Sequence, residues 1–178
     1  MQAASSRKAL TFTFSSLEGR VLQLILKQII ANYQIKPDAL DPKAASAWYS
    51  TRGCKTAGMS AEDTREWLEH LHQYRSANLQ LLLKWLRRLS VSKAGHHQLC
   101  VKLEEAPALL TALNDHRLLL AARHDIGETE MDARGLNAMT SLPVAQQIPV
   151  AEIHFLAYII EEVLHFLPGN PGGWMEAL

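Results

Sequence analysis

Two spacings in this chain are those of a metal centre. Glu69-x-x-His72 and Glu162-x-x-His165 each place a carboxylate and an imidazole on one helix face. Paired Glu-x-x-His motifs on separate helices are what carboxylate-bridged di-iron bundles use. Composition weakens the match, because eight histidines and twelve glutamates in 178 residues supply about half such a pair by chance. Face position weakens it further. Bundle ligands project inward, whereas Glu69 lies opposite the stripe of Leu68, Leu71 and Leu82, and His165 lies opposite Ile153, Leu156, Ile160 and Val163. No metal is expected. The sequence holds no Gly-rich phosphate loop after a strand, no Cys-x-x-Cys, no His-Glu-x-x-His and no Gly-x-Ser-x-Gly. His96-His97 falls in a loop, and Cys54, between Gly53 and Lys55, has no base beside it. The chain reads as non-enzymatic and free of cofactors.

A second set of residues interrupts apolar faces. At about 100° per residue, Glu18 falls in line with Leu22, Ile25 and Ile29. Arg75 and Asn78 break a stripe between Leu71 and Leu82, and Arg117 falls between Leu113 and Ala121 with Asn114 at the edge of that face. A buried guanidinium needs a carboxylate. The expectation is one network in which Arg117 or Arg75 forks onto Glu18, with Asn78 and Asn114 taking the remaining donors and acceptors. Its first meaning is structural, fixing how helices dock. Its functional alternative is a pocket for a small anion or nucleotide, with Arg75 and Arg117 as the cationic groups.

These residues must be positioned by helices. Ser15-Ser16-Leu17-Glu18 reads as a helix start with Ser15 as N-cap, and this helix runs to about Tyr33. The segment from Gln34 to Ser60 is broken by turn residues, with a short helix after Pro42 over 43–49 and Trp48 and Tyr49 anchoring the excursion. Ser60 caps a long helix to about Leu89. Glu104, Glu105 and Pro107 open the helix that carries Asn114 and Arg117. Residues 127–148 read as loop with fragments of helix and an acidic start, and Pro149 opens a last helix over 150–167. Strands are expected near 10–14, where Leu10, Phe12 and Phe14 alternate with threonines, and near 98–103, where Leu99, Val101 and Leu103 alternate. The fold class is mainly α: about four main helices in a bundle, with a small two-stranded sheet. One domain, 1–178, is expected, with a flexible N-terminus 1–8 and tail 169–178.

Eighteen basic and eighteen acidic residues cancel, so no global field gathers phosphates and nucleic acid is not an expected partner. Two cysteines make no disulfide scaffold. Threonines interrupt any signal-peptide core near the N-terminus, and no apolar run reaches the ~18–20 residues of a membrane span. A cytoplasmic protein without membrane contact is expected.

The run Leu110-Thr111-Ala112-Leu113-Asn114-Asp115-His116-Arg117-Leu118 resembles the bacterial family catalogued as domain of unknown function number two thousand and seventeen. Asp41-Pro42, Arg75 on a long central helix, and the paired acids Glu161-Glu162 on a closing helix follow in the family's order. Two features depart from its pattern: Ala121-Ala122-Arg123 stands where a glycine-threonine-arginine step is usual, and the segment 51–59 fits poorly. The likeness implies remote membership and a cytoplasmic bacterial setting. It assigns no activity and no catalytic residues. Genes of the family often neighbour that of a protease adaptor, which implies a link to adaptor-mediated proteolysis. The expected function is a protein-interaction or regulatory module with a protein partner. Its expected surfaces are the excursion 34–60 with Trp48 and Tyr49, and the segment 127–148.

Overall fold

The structure, a computed structural model, describes residues 1–6, 8–92, 95–131 and 136–167. Four long helices dominate it: α1 (Ser16–Tyr33), α4 (Ala61–Arg88), α5 (Ala106–His124) and α8 (Val144–Phe166). Four short ones lie between them: α2 (Pro42–Trp48), α3 (Arg52–Thr56), α6 (Glu128–Met131) and α7 (Leu136–Ser141). The sheet has four antiparallel strands rather than two. These are β1 (Gln2–Ser5), β2 (Ala9–Phe14), β3 (Ser90–Val91) and β4 (His97–Lys102), in the order β1-β2-β4-β3.

The helix starts are written locally. Ser15 accepts from the Glu18 N–H while the Glu18 carboxylate accepts from the Ser15 N–H, and Ser60 and Asp63 repeat this box at α4. Asp41 caps α2 by accepting from the Ala44 N–H at 2.8 Å, and Pro42 fills a first-turn position whose missing N–H costs nothing. The two central strands keep the expected alternation. Leu10, Phe12 and Phe14 face the core across from Val101, Leu99 and His97. The main core joins these strands to α1, α4, α5 and α8 through Leu26, Ile29, Leu82, Trp85, Leu113 and Leu156. Gly19 is required by packing: a Cβ there would stand 2.1 Å from Cγ of His97.

Five expectations are corrected. Residues 1–8, read as flexible, contain β1, which pairs along the edge of β2. Its short polar sequence carries no period-two signal, and the partner strand supplies the order. A short strand, β3, precedes the pair His96-His97 read as loop, and His97 itself is buried at the start of β4; Leu103 leaves β4 for a 3-10 turn, Leu103–Glu105. The broken segment from Gln34 to Ser60 includes a 3-10 turn, Pro37–Ala39, and α3. The last helix starts at Val144, and Pro149 sits inside it, buried. Side chains tether the first turn of α8 to its surroundings: Gln146 Nε2 donates to the carbonyls of His124 and Asp125 at the end of α5, and Gln147 Nε2 donates to that of Leu142. The tail 169–178 lies outside the described residues.

Candidate functional site

The five residues expected to form one site are not brought together. Arg75 and Asn78 are buried on one face of α4. Asn114 is exposed, Arg117 is half-buried, and Glu18 is tied up at the start of α1. Besides capping that helix, the Glu18 carboxylate accepts from the Met1 amine at 3.0 Å. Burial raises the Glu18 pKa, but these hydrogen bonds outweigh it and leave it lowered. Glu18 therefore cannot be the counter-ion of Arg75 or Arg117.

The partner of Arg75 is Asp115, forty positions along the chain. Nε donates to Oδ2 at 2.8 Å and Nη2 to Oδ1 at 3.1 Å, a forked pair between α4 and α5. The Tyr33 hydroxyl donates to the same Oδ2 at 2.7 Å, and Trp48 Nε1 donates to the Asp115 backbone carbonyl at 2.8 Å. The guanidinium lies over the rings of Trp48 and Tyr49, 5.2 and 4.8 Å from their centroids. Burial alone would favour the neutral guanidine; the Asp115 carboxylate outweighs it and raises the Arg75 pKa. Burial first, and Asp115 second, push the Tyr33 phenol far up, so it serves only as a donor. Trp48, expected on the surface, is in fact a core residue. This cluster pins α1, α2, α4 and α5 to one another and presents no nucleophile. Among the described residues, Arg75 Nη1, Asn78 Nδ2 and Arg117 Nε are buried without partners.

Asp115 escaped the helical-wheel argument because α5 is central. Ala108, Ala112, Asp115 and Leu119 make one buried stripe, and Leu109, Leu113, His116 and Leu120 make another beside it. A search for a single apolar face averages the two and lands on Arg117. The small side chains Ala108 and Ala112, buried in line with Asp115, were the available signal.

On the other stripe, His116 Nε2 meets Glu152 Oε1 of α8 at 2.8 Å, with His116 almost fully buried. The pair borders a cleft of about 490 Å³ rimmed by Gln28, Arg123, His124, Val144 and Ile148. Arg123 is held by Asp41 at 2.7 Å, and Lys43 by Asp125 at 2.6 Å, so α2 is also tied to the end of α5. Ile148 and Glu152 continue into a second, mostly apolar groove of about 280 Å³ between α1 and α8, whose walls are Leu17, Val21, Ala151 and Phe155 with Glu18 on its rim. Sequence reasoning passed over this face because it scored α1 and α8 only for their core stripes.

A second buried carboxylate, Glu105, accepts from Lys84 Nζ and from Trp85 Nε1 and has Arg88 at 3.8 Å. Burial raises its pKa; the Lys84 and Trp85 hydrogen bonds overcome that and lower it. No group of three or more metal-type side chains converges among the described residues. No helix among them is long and apolar enough to cross a membrane.

No curated protein and no solved structure matches the chain. A family model matches residues 41–167, a stretch that takes in Asp41, Trp48, Arg75, Asp115 and Glu152 but not Tyr33 or Glu18. With well over half its length covered, the chain belongs to the family described as Domain of unknown function (DUF2017).

Proposed function

We propose that this protein is a non-enzymatic protein-interaction module whose docking surface is the α1–α8 face. The observation that carries this reading is the exposure of large apolar side chains along one trough: Leu17 is 66% exposed, Val144 84% and Ile148 76%, with Leu24, 59% exposed, farther along α1. Isolated apolar residues on a surface are ordinary, but a contiguous set around a groove marks a place for a partner. The spacing of Leu17, Val21 and Leu24 on α1, and of Val144, Ile148, Ala151 and Phe155 on α8, suits a partner that presents helical ridges. A bacterial, cytoplasmic setting and a role in adaptor-mediated proteolysis belong to the same reading. Capture from native lysate tests it. The wild-type chain should retain a reproducible partner, other chains or untagged copies of itself, that Ile148→Glu loses with its fold intact. No reproducible capture sinks the reading.

A second reading, a small-anion or nucleotide binder at Arg75 and Arg117, draws on the unpartnered donors Arg75 Nη1, Asn78 Nδ2 and Arg117 Nε. Against it, Asp115 already neutralises Arg75. Thermal-shift titration with inorganic phosphate decides: stabilisation that Asn78→Ala abolishes favours the anion site, and no stabilisation removes it.

A further inference from the structure

We propose that the cleft between α2 and α3 binds a small organic phosphate, a phosphomonoester held by Arg52 and Lys55. This goes beyond the interaction reading and uses neither Arg117 nor the α1–α8 face.

The cleft has a volume of about 570 Å³ and is lined by Ser46, Tyr49, Ser50, Thr51, Arg52 and Lys55. No carboxylate lines it. In a chain whose acids and bases cancel, this is a local excess of positive charge. The nearest acids along the chain are engaged elsewhere, Asp41 with Arg123 and Glu62 with Arg65. The Arg52 and Lys55 side chains have no partner among the described residues. The hydroxyls are open as well. Those of Ser46 and Thr51 make no hydrogen bond among the described residues, and Ser50 Oγ only accepts from the Arg52 N–H at 3.4 Å.

A lining of guanidinium, ammonium and hydroxyl groups offers donors and no anionic acceptor, so it selects an anion. A phosphomonoester brings about two negative charges and three acceptor oxygens, which suit two cations ringed by hydroxyls. A carboxylate brings one charge and two oxygens and leaves part of the set unused. The volume exceeds a bare phosphate and falls in the range of small-ligand sites, so an organic group shares the cleft, against Ala45 and Tyr49. Two cations are too few to track a nucleic-acid backbone.

The rear wall is held in place from behind. The Tyr49 ring lies 4.8 Å from the Arg75 guanidinium, and its hydroxyl lies 3.4 Å from His72 Nδ1. Trp48 and Cys54, one from each side of the cleft, are buried. The cleft therefore borrows rigidity from the Arg75–Asp115 pair, which a ligand site on two short helices needs.

Amide chemical shifts of the isotope-labelled full chain, titrated at fixed ionic strength with phenyl phosphate, inorganic phosphate and benzoate, test the proposal. Phenyl phosphate should give saturable shifts centred on residues 45–55 and should bind more tightly than either other probe. Arg52→Gln and Lys55→Gln, both at exposed positions, should each weaken it about tenfold with the remaining spectrum unchanged. Lys55→Glu should abolish it. Absence of saturable shifts up to about 10 mM overturns the site. Shifts centred on Asn78 and Arg117, or binding unaltered in Arg52→Gln and Lys55→Gln, also overturn it. Benzoate binding as tightly as phenyl phosphate overturns the choice of phosphate, and inorganic phosphate doing so overturns the organic group.

Discussion

The α4–α5 interface and the α1–α8 face carry each other's expected contents. The first buries an arginine and an aspartate; the second leaves leucine, valine and isoleucine in water. Burial follows from satisfaction rather than polarity alone. Arg75 and Asp115 share a fork, a tyrosine hydroxyl and two aromatic faces, so leaving solvent strands little. The apolar ridge finds no partner within the described chain. The interior is closed by polar contacts that are made, with Arg75 Nη1 and Asn78 Nδ2 left over, and the surface is left open by apolar ones that are not.

The sharpest way to break this contrast is Asp115→Ala. It should cost about 3–5 kcal/mol in urea unfolding, because it leaves a buried guanidinium unpaired. Adding Arg75→Met should recover part of that loss, and no recovery would show that the ion pair is not the source. Gly19→Ala should cost about 1–3 kcal/mol through the clash with His97, and the penalty should shrink in a His97→Ala background.

Glu105 gives a pH test. Its folded pKa is lowered, so its contribution is fully present at neutral pH and is lost as pH falls below the ordinary value of 4.5 and through the folded one. Urea midpoints measured across that window should fall more steeply in the wild type than in Glu105→Gln, whose cost at neutral pH should be about 1–3 kcal/mol. Equal slopes would remove Glu105 from the acid transition. The smallest effect belongs to the open face: Ile148→Glu should change monomer stability by less than about 0.5 kcal/mol. A larger loss would mean that Ile148 belongs to the core and that the contrast between the two regions is false.

What was legible in the sequence was local. Ser15 and Ser60 cap their helices through contacts within four residues, and the alternation in β2 and β4 needs only period two. The helix containing Arg117 was legible, but not its orientation, because a helix packed on two sides has no single apolar face. The counter-ion of Arg75 was hidden by distance along the chain, and β1 by depending wholly on its neighbour. Pro149 misled because a proline favours the first turn of a helix, whereas here one more turn precedes it, tethered by Gln146 to the end of α5 and by Gln147 to Leu142.

The pairing of β2 with β4 has a consequence for how the molecule assembles. Phe12 faces Leu99, and α1 through α4 lie in the chain between them. Closing so long a loop has an entropic cost before any strand contact repays it. The long helices can form early from their own capped ends, while the sheet must wait for them to bring its halves together. Amides of β2 and β4 should then exchange with solvent only through global opening, and those near the ends of α4 through local fraying.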